Sequence, residues 1–221
     1  MKILSLDSST QVSSVAFVEI DQIGAPPLQD PVVAFIAEAS HARSDSSALF
    51  IALQQAVESS GKPDALCVGL GPGSYNGLRA SIAAARGFAT ALGIPLHAIP
   101  SPLAMTGPDS GFWALGDARG GHYWIAHVCG GLFLQKPALL SPGETVLHLR
   151  NHPDLPILSA TPLAGIEGIQ IVTPSAVRLA ILAKRGDPSS LVLGTPEPLY
   201  LKAPHITAPK PRLPILPPSA S

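Results

Sequence analysis

Short apolar runs alternate with polar turns along the first forty residues. Residues 3–6, 12–20 and 32–37 are apolar and rich in β-branched side chains, and turn-forming residues separate them. This pattern predicts three strands in an antiparallel meander. The loop at 21–31, which contains Gly24 and several prolines, is predicted to be exposed.

Helices and buried strands alternate in the next sixty residues. The predicted elements are a helix at 44–59, a strand at 65–70, a second helix at about 76–92 and a strand at 96–99. Ser44 or Asp45 can cap the first helix, and the continuous apolar run 65–70 is typical of a strand buried on both faces. The order β-β-β-α-β-α-β therefore predicts a meander extended by parallel crossovers.

The second half of the chain has a weaker pattern and contains most of the proline. Only five of the 24 prolines precede residue 95. Strands are predicted at 112–115 and 122–128, with 132–134 continuing the hairpin. One helix is predicted to begin with Thr173 as N-cap and Pro174 at its first position, and to end at Gly186. From Pro196 onward the prolines predict an extended arm.

Composition excludes several classes of protein. Charged residues make up 13% of the 221 residues and the net charge is −1, so the chain lacks the basic surface of a free-standing nucleic-acid binder. Apolar residues, at 46%, exclude a disordered chain. The uncharged stretch 87–108 contains four prolines and cannot form a membrane-spanning helix. Cys67 and Cys129 lie in apolar runs without CxxC spacing, which favours inert thiols and a cytoplasmic protein.

The turn Gly71-Pro72-Gly73-Ser74 joins a strand to a helix N-terminus, a geometry that presents backbone N–H groups to an anion. No Lys-Ser/Thr pair follows it as in a P-loop, and the spacing to Gly77 misses the dinucleotide fingerprint by one residue. Ser74 lacks the glycine two positions later that a nucleophile elbow requires. From this segment alone, a tight turn with close helix packing is favoured over an anion site.

The helix after this turn has two different faces. Leu78, Ile82, Ala85, Ala89 and Leu92 form an apolar face, and much of the remaining surface is alanine and glycine. Small side chains let another helix approach closely. That helix could belong to the same chain or to a partner, and the pattern favours neither.

Two further groups carry polar chemistry. Asp7-Ser8-Ser9-Thr10, between the first two strands, is similar to the phosphate hairpin of the actin, sugar-kinase and Hsp70 superfamily, although Ser9 stands where that hairpin has glycine. A hairpin turn capped by Asp and Ser is the favoured interpretation. His148 and His152 are four residues apart, but there is no HExxH pattern and the flanks lack helical periodicity, so a metal site is disfavoured.

Six segments together resemble one family. They are 3–10 (ILSLDSST), Ser40-His41, 69–79 (GLGPGSYNGLR), 93–96 (GIPL), Asp117-Ala118-Arg119 before Tyr123-Trp124, and 198–202 (PLYLK). On these residues the chain is identified as a member of the TsaB (YeaZ) family, and the resemblance is densest from 65 to 102. Asn76 replaces the usual Thr, and Gly121-His122 stands where Gly-Glu is usual.

The resemblance implies a fold and a function. The expected fold is α/β, of the actin-like ATPase or ribonuclease H-like type, with two lobes that each have a mixed β-sheet flanked by helices, the second lobe being reduced. The lobes are expected at 1–103 and 104–204, followed by a proline-rich tail at 205–221 that is extended or disordered. TsaB is a non-catalytic paralogue of TsaD, which holds the metal and transfers a threonylcarbamoyl group to the adenosine beside the anticodon of tRNA. The chain is therefore expected to bind and activate a TsaD-like subunit, to work with a TsaE-like ATPase, and to meet tRNA only through that complex.

The resemblance also implies which residues act. The helices at about 44–59 and 76–92 are expected to pack against those of TsaD or of a second TsaB. The predicted partner interface is Leu49, Leu53, Gly73, Leu78, Arg79, Ile82, Ala85, Arg86 and Ala89. No catalytic residue, metal or cofactor is predicted, and Asp7, Ser9 and Thr10 form a vestigial phosphate hairpin that leaves weak nucleotide binding open. The alternatives are an ATP-binding kinase or ATPase of the same superfold, and a glycoprotease, for which no nucleophile or metal motif is present.

Overall fold

Strands and helices alternate throughout the part of the chain that the computed structural model describes, which is residues 1–20, 31–40, 47–188, 191 and 195–202. The strands are β1 Lys2–Asp7, β2 Val12–Glu19, β3 Val32–Ser40, β4 Ala65–Gly69, β5 Leu96–Ile99, β6 Phe112–Asp117, β7 Tyr123–Cys129, β8 Leu132–Leu140, β9 Ile157–Ser159 and β10 Ile169–Ile171. The helices are α1 Ser47–Ser60, α2 Tyr75–Leu92, α3 Pro142–Arg150 and α4 Ala176–Arg185, with a 3₁₀ turn at Ser101–Ala104.

The first sheet has the strand order β3-β2-β1-β4-β5. β1, β2 and β3 pair antiparallel, and β4 and β5 are added in parallel on the other side of β1. β4 is buried along its whole length, as expected for a central strand covered on both faces. α1 and α2 are the two crossovers, and they cover the face of the sheet that carries Leu4, Phe17 and Leu66.

The second sheet repeats the topology of the first. Read in the same sense, its order is β8-β7-β6-β9-β10, with β6, β7 and β8 antiparallel and β6, β9 and β10 parallel. β6 therefore corresponds to β1 and β9 to β4. α3 forms the crossover from β8 to β9, but the connection from β9 to β10 contains no helix. The second lobe is thus a smaller version of the first.

A central hydrophobic core lies between the two sheets. It includes Ile3, Val18 and Cys67 from the first sheet, Phe112, Trp124 and Leu158 from the second, and Leu179 and Leu182 from α4. α4 packs across β1, β2 and β4 although it follows the second sheet in the chain. Ala176 fixes its start, because its N–H donates to Ser14 Oγ (3.1 Å) and its carbonyl accepts from Ser5 Oγ (2.6 Å). Buried serines of the first sheet therefore position the helix that joins the lobes.

The predicted elements of the first lobe are confirmed to within a few residues. α2 begins one residue earlier than predicted, and β3 extends to Ser40. The predicted caps Ser44 and Asp45, most of the loop at 21–31, and the tail at 205–221 lie outside the described residues. The lobe boundaries at 103 and 204 stay a prediction.

The second lobe departs from the prediction at two helices and at the short strands β9 and β10, which were not predicted. α3 was not predicted, although Ser141 and Glu144 form a capping box: Glu144 N donates to Ser141 Oγ (3.3 Å) and Ser141 N donates to Glu144 Oε2 (2.8 Å). The predicted cap of α4 at Thr173 is wrong. Ser175 is the N-cap, because its N–H is anchored to Ala104 O (3.0 Å) and its side chain accepts from Arg178 N. Gly186 ends α4 in a left-handed conformation, as predicted.

Candidate functional site

The end of β1 carries a buried carboxylate whose two oxygens are both bound by this chain. Asp7 is 1% exposed. Its Oδ1 accepts from Ser9 N (2.8 Å) and Ser9 Oγ (2.6 Å), and its Oδ2 accepts from Ser101 Oγ (2.5 Å). Gly71 N completes the network by donating to Ser101 Oγ at 2.8 Å. Burial raises the pKa of Asp7 above its usual value, although the hydrogen bonds from Ser101 and Ser9 oppose that shift.

Glycine lets the loop after β4 lie directly against the Asp7 turn. A Cβ on Gly69 would overlap Asp7 Oδ2, and a Cβ on Gly73 would overlap the carbonyl of Ser9. Hydrogen bonds hold the two segments together, since Ser74 N donates to Ser9 O (2.8 Å). The glycine turn therefore packs against the hairpin, and protein atoms occupy the space in front of Asp7. Asp7, Ser9 and the loop form a closed polar network.

Thr10 completes the turn without facing this network. Its Oγ1 donates to Val12 O at 2.9 Å and accepts from Val12 N at 3.1 Å. These bonds close the β1–β2 hairpin locally. Of the three residues predicted as a vestigial phosphate hairpin, Asp7 and Ser9 thus bond to each other, and Thr10 bonds to the start of β2.

Six of the nine residues predicted at a partner interface are buried within this chain. They are Leu49, Leu53, Leu78, Ile82, Ala85 and Ala89, each at most 5% exposed. Gly73, Arg79 and Arg86 are exposed. The apolar face of α2 thus packs against its own sheet, and of the nine predicted residues only Gly73, Arg79 and Arg86 are accessible.

Exposed uncharged residues lie on both helices, Phe50 and Ile51 on α1 and Ala83, Gly87 and Ala91 on α2. These five residues are here called the outer face of α1 and α2. Phe50 and Ile51 are 43% and 53% exposed. A Cβ built on Gly87 would meet no atom within 4 Å, so the surface above it is open. Large exposed apolar side chains beside small ones are typical of a surface that another protein covers. Sequence reasoning found the small residues of this face but not Phe50 and Ile51.

An aromatic cluster at the start of α2 was also missed. The rings of Tyr75 and Tyr200 have centroids 5.5 Å apart. Arg79, one helical turn further on, donates from Nη1 to the Tyr75 hydroxyl at 2.6 Å. The signal was present in the segment 198–202, which carries part of the family resemblance, but nothing in its sequence indicates what Tyr200 contacts.

The turn after β6 is the counterpart of the Asp7 turn. Asp117 ends β6 as Asp7 ends β1, and its Oδ1 likewise accepts from the amide two residues on, that of Arg119, at 2.7 Å. Unlike Asp7, Asp117 is exposed. Lys202 contacts this turn, since its Nζ donates to Arg119 O at 2.8 Å.

His148 and His152 lie close together in the structure. The prediction that the segment around them is not helical is wrong for His148. His148 is in α3 and His152 follows its C-cap, Asn151. Their ring centroids are 4.7 Å apart, and both rings and that of His127 pack around Trp113. Burial, followed by the charge of His152, lowers the pKa of His148. Nevertheless, no three His, Cys, Asp or Glu residues among those described are arranged to hold a metal ion.

Two sheets of the same topology on a shared core, with a hairpin turn ending the first strand of each, define a two-lobed α/β protein of the actin-like, ribonuclease H-like class. A family model described as TsaD, tRNA N6-adenosine threonylcarbamoyltransferase, matches residues 29–108. YeaZ from Pseudomonas aeruginosa superposes with a TM-score of 0.69 at 20% identity, covering 90% of this chain and 99% of that one. A second Pseudomonas aeruginosa structure, described as similar to peptidase YEAZ, gives 0.68 at 21% identity over 91% and 99%.

Relatives in mycobacteria are closer in sequence. An uncharacterized protein of Mycobacterium tuberculosis is 31% identical over 170 residues, which is 75% of this chain and 76% of that protein. One of Mycobacterium leprae is 28% identical over 73% of this chain and 46% of its own length. The chain belongs to the TsaB (YeaZ) family. Among the described residues, no helix combines the length and apolarity that crossing a membrane requires.

Proposed function

We propose that this protein is a non-catalytic subunit of a cytoplasmic tRNA-modifying complex, where it binds and activates a TsaD-like threonylcarbamoyltransferase. Family membership supplies the tRNA-modification context. A TsaE-like ATPase completes the complex, and tRNA is met through the assembled subunits, in keeping with a net charge of −1. The docking surface is the outer face of α1 and α2, flanked by Arg79 and Arg86.

The closed Asp7 network is the observation that carries the non-catalytic part of the proposal. In a phosphate-transferring enzyme an acidic residue at this place must reach a metal ion or an ordered water. In this chain both oxygens of Asp7 instead accept hydrogen bonds from Ser9 and Ser101. Gly69 brings backbone against the Asp7 carboxylate, and Gly73 brings backbone against Ser9. Burial of an unpaired carboxylate also opposes the charged form that a metal would need. This supports a scaffold over the kinase or ATPase alternative.

The docking surface is best tested with a change that the isolated fold tolerates. Gly87→Leu adds a side chain where no atom lies within 4 Å, and leucine favours helix over glycine. It should leave the melting temperature unchanged or raised, yet block close approach of another helix. Gly143→Leu is the matched control, because Gly143 also lies in a helix with nothing within 4 Å, but in α3 of the other lobe.

The experiment co-expresses each variant with the TsaD-like and TsaE-like proteins of the same organism and measures both co-purification and threonylcarbamoyladenosine in tRNA. Wild type and Gly143→Leu should co-purify with the TsaD-like protein and support modification, and Gly87→Leu should lose at least about tenfold in affinity. Modification of equal yield without this chain would refute the proposed role. Turnover of ATP by the isolated chain would instead favour the ATPase alternative.

A further inference from the structure

Residues 198–202, here called the latch, connect the two lobes at the ends where their hairpin turns lie. Leu199 N donates to the carbonyl of Leu70, the residue directly after β4, at 2.8 Å. The Leu199 side chain packs against the hydrophobic core between the first sheet and its helices α1 and α2. Leu201 packs against the central core. Lys202 then reaches Arg119 O, in the turn between β6 and β7 of the second lobe. Only two residues, Tyr200 and Leu201, thus separate a first-lobe anchor from a second-lobe anchor.

The latch also touches the helix that the proposed function assigns to docking. The Tyr200 ring packs at an angle of 31° against that of Tyr75, the first residue of α2, and the Arg79 guanidinium lies 5.3 Å from the centre of the Tyr75 ring. Tyr75 and Tyr200 are 39% and 45% exposed, so a partner can reach both rings. Tyrosine and arginine are enriched among the residues that dominate binding energy at protein interfaces.

The chemistry of this cluster indicates its partner. Arg79 carries a permanent positive charge and five N–H donors, of which the bond to Tyr75 uses one. A carboxylate can pair with such a guanidinium, while an apolar side chain covers the tyrosine rings. The surface therefore fits a helix of a partner protein that carries an acidic side chain beside an apolar one.

We propose that the latch couples docking at Tyr75, Arg79 and Tyr200 to the relative position of the two hairpin turns. A partner that displaces Tyr200 from Tyr75 moves a residue that lies next to Leu199 and two positions before Lys202. A shift of the Tyr200 backbone that accompanies this displacement reaches both anchors, because Tyr200 adjoins Leu199 and is separated from Lys202 by one residue. The docking half of this inference rests on the proposed function, whereas the latch is a property of the isolated chain.

Hydrogen exchange on the isolated full-length chain tests the latch. Tyr200→Ala removes the ring contact with Tyr75 in the first lobe. It should raise hydrogen exchange of the amides at 117–122 in the second lobe at least about threefold. Lys202→Ala removes the contact in the second lobe, and should raise exchange of the Leu199 amide similarly. Lys136→Ala, at an exposed lysine of β8, is the control and should change neither. If each substitution raises exchange only beside itself, no latch exists.

Adding the TsaD-like protein tests the coupling. Binding to wild type should change exchange at 117–122 at least about twofold, and in Tyr200→Ala the partner should bind without that response. An equal response in wild type and Tyr200→Ala would overturn the coupling. If the partner fails to bind wild type, the proposed function falls and the coupling to docking falls with it, while the result on the isolated chain still decides whether the latch exists.

Discussion

The two lobes share one strand order, yet they treat the end of their first strand in opposite ways. Asp7 and Asp117 both accept a hydrogen bond from the amide two residues on, at 2.8 Å and 2.7 Å. In the first lobe Ser101 and a glycine loop then close over the carboxylate, whereas in the second lobe Asp117 stays exposed. The same strand order and the same hydrogen bond at the start of the turn therefore do not specify one kind of site. Whether the carboxylate is buried or exposed depends on the segment that packs on the turn.

The crossovers differ in a related way. Both crossovers of the first lobe are helices, and α2 brings the glycine loop onto Asp7 as it begins. In the second lobe the connection from β9 to β10 is a helix-free loop, so no helix N-terminus approaches Asp117 from there. The lost helix explains why one turn is covered and its counterpart is open.

Removing the carboxylates should have the largest effect on the free energy of unfolding, and the size of this effect should differ between the two lobes. Asp7→Ala leaves three donors, Ser9 N, Ser9 Oγ and Ser101 Oγ, without their buried acceptor. Because each such orphan costs about 1–3 kcal/mol, we expect the free energy of unfolding to fall by at least about 3 kcal/mol. Asp117→Ala, at an exposed site, should cost less than about 1 kcal/mol. Urea unfolding measures both, and equal losses would contradict the contrast between the two turns.

Asp7→Asn refines this prediction, because an amide keeps one acceptor oxygen for Ser9. We expect it to cost clearly less than Asp7→Ala. The raised pKa of Asp7 means that the folded state holds its proton more tightly than the unfolded state, so wild-type stability decreases as pH rises through the interval above the usual aspartate value near 3.8. The Asn variant should lack that decrease. An unchanged pH profile would show that Asp7 does not titrate abnormally.

Glycine substitutions should give the next largest effect, with opposite signs in the two lobes. Gly73→Ala places a Cβ against the carbonyl of Ser9 although Gly73 itself is exposed. Backbone must move, and we expect a loss of about 2 kcal/mol. Gly143→Ala meets no atom within 4 Å and should gain up to about 1 kcal/mol from helix propensity. Thermal unfolding followed by circular dichroism compares them, and a harmless Gly73→Ala would mean that the loop does not pack on the hairpin.

The histidine cluster should give the smallest effect, confined to the second lobe. The lowered pKa of His148 means that the unfolded state binds the proton more readily, so stability decreases as pH falls from about 7 to about 5. Because the ring is only partly buried, solvent screening keeps this below about 1 kcal/mol. His148→Phe should flatten the profile in part, since burial lowers the pKa of His97 as well. Trp113 fluorescence, which protonation of the adjacent His148 ring should quench, reports the same event, and no change would remove His148 as the cause.

The first lobe was predictable because each of its elements is marked locally. β4 is one continuous apolar run, and α2 begins at a serine cap and ends at Gly93. β9 and β10 are only three residues long, which is too short for any hydrophobic period to appear. α3 has a capping box in its sequence but no apolar stripe, and Thr145 is its only buried residue. The start of α3 could therefore be predicted from the sequence, whereas the rest of the helix could not.

The candidate site was predictable in kind but not in detail. The sequence placed Asp7 at a turn, the glycines before a helix and a small-residue surface on α2. It could not assign faces, because Ala84 and Ala85 are buried while Ala83 beside them is exposed. It could not bring Ser101 to Asp7, 94 residues apart, or Tyr200 to Tyr75. Such contacts depend on how the two lobes and the returning chain pack, which no local pattern encodes.

The position of α4 has a consequence for how the protein is made. Its residues are synthesised after both sheets, yet its helix covers the inner face of the first sheet and bonds to Ser5 and Ser14 there. During synthesis on the ribosome, one apolar face of the first sheet therefore stays without α4 until the chain has grown past residue 185. The two lobes therefore mature together, because α4, which emerges after both sheets, completes the first lobe.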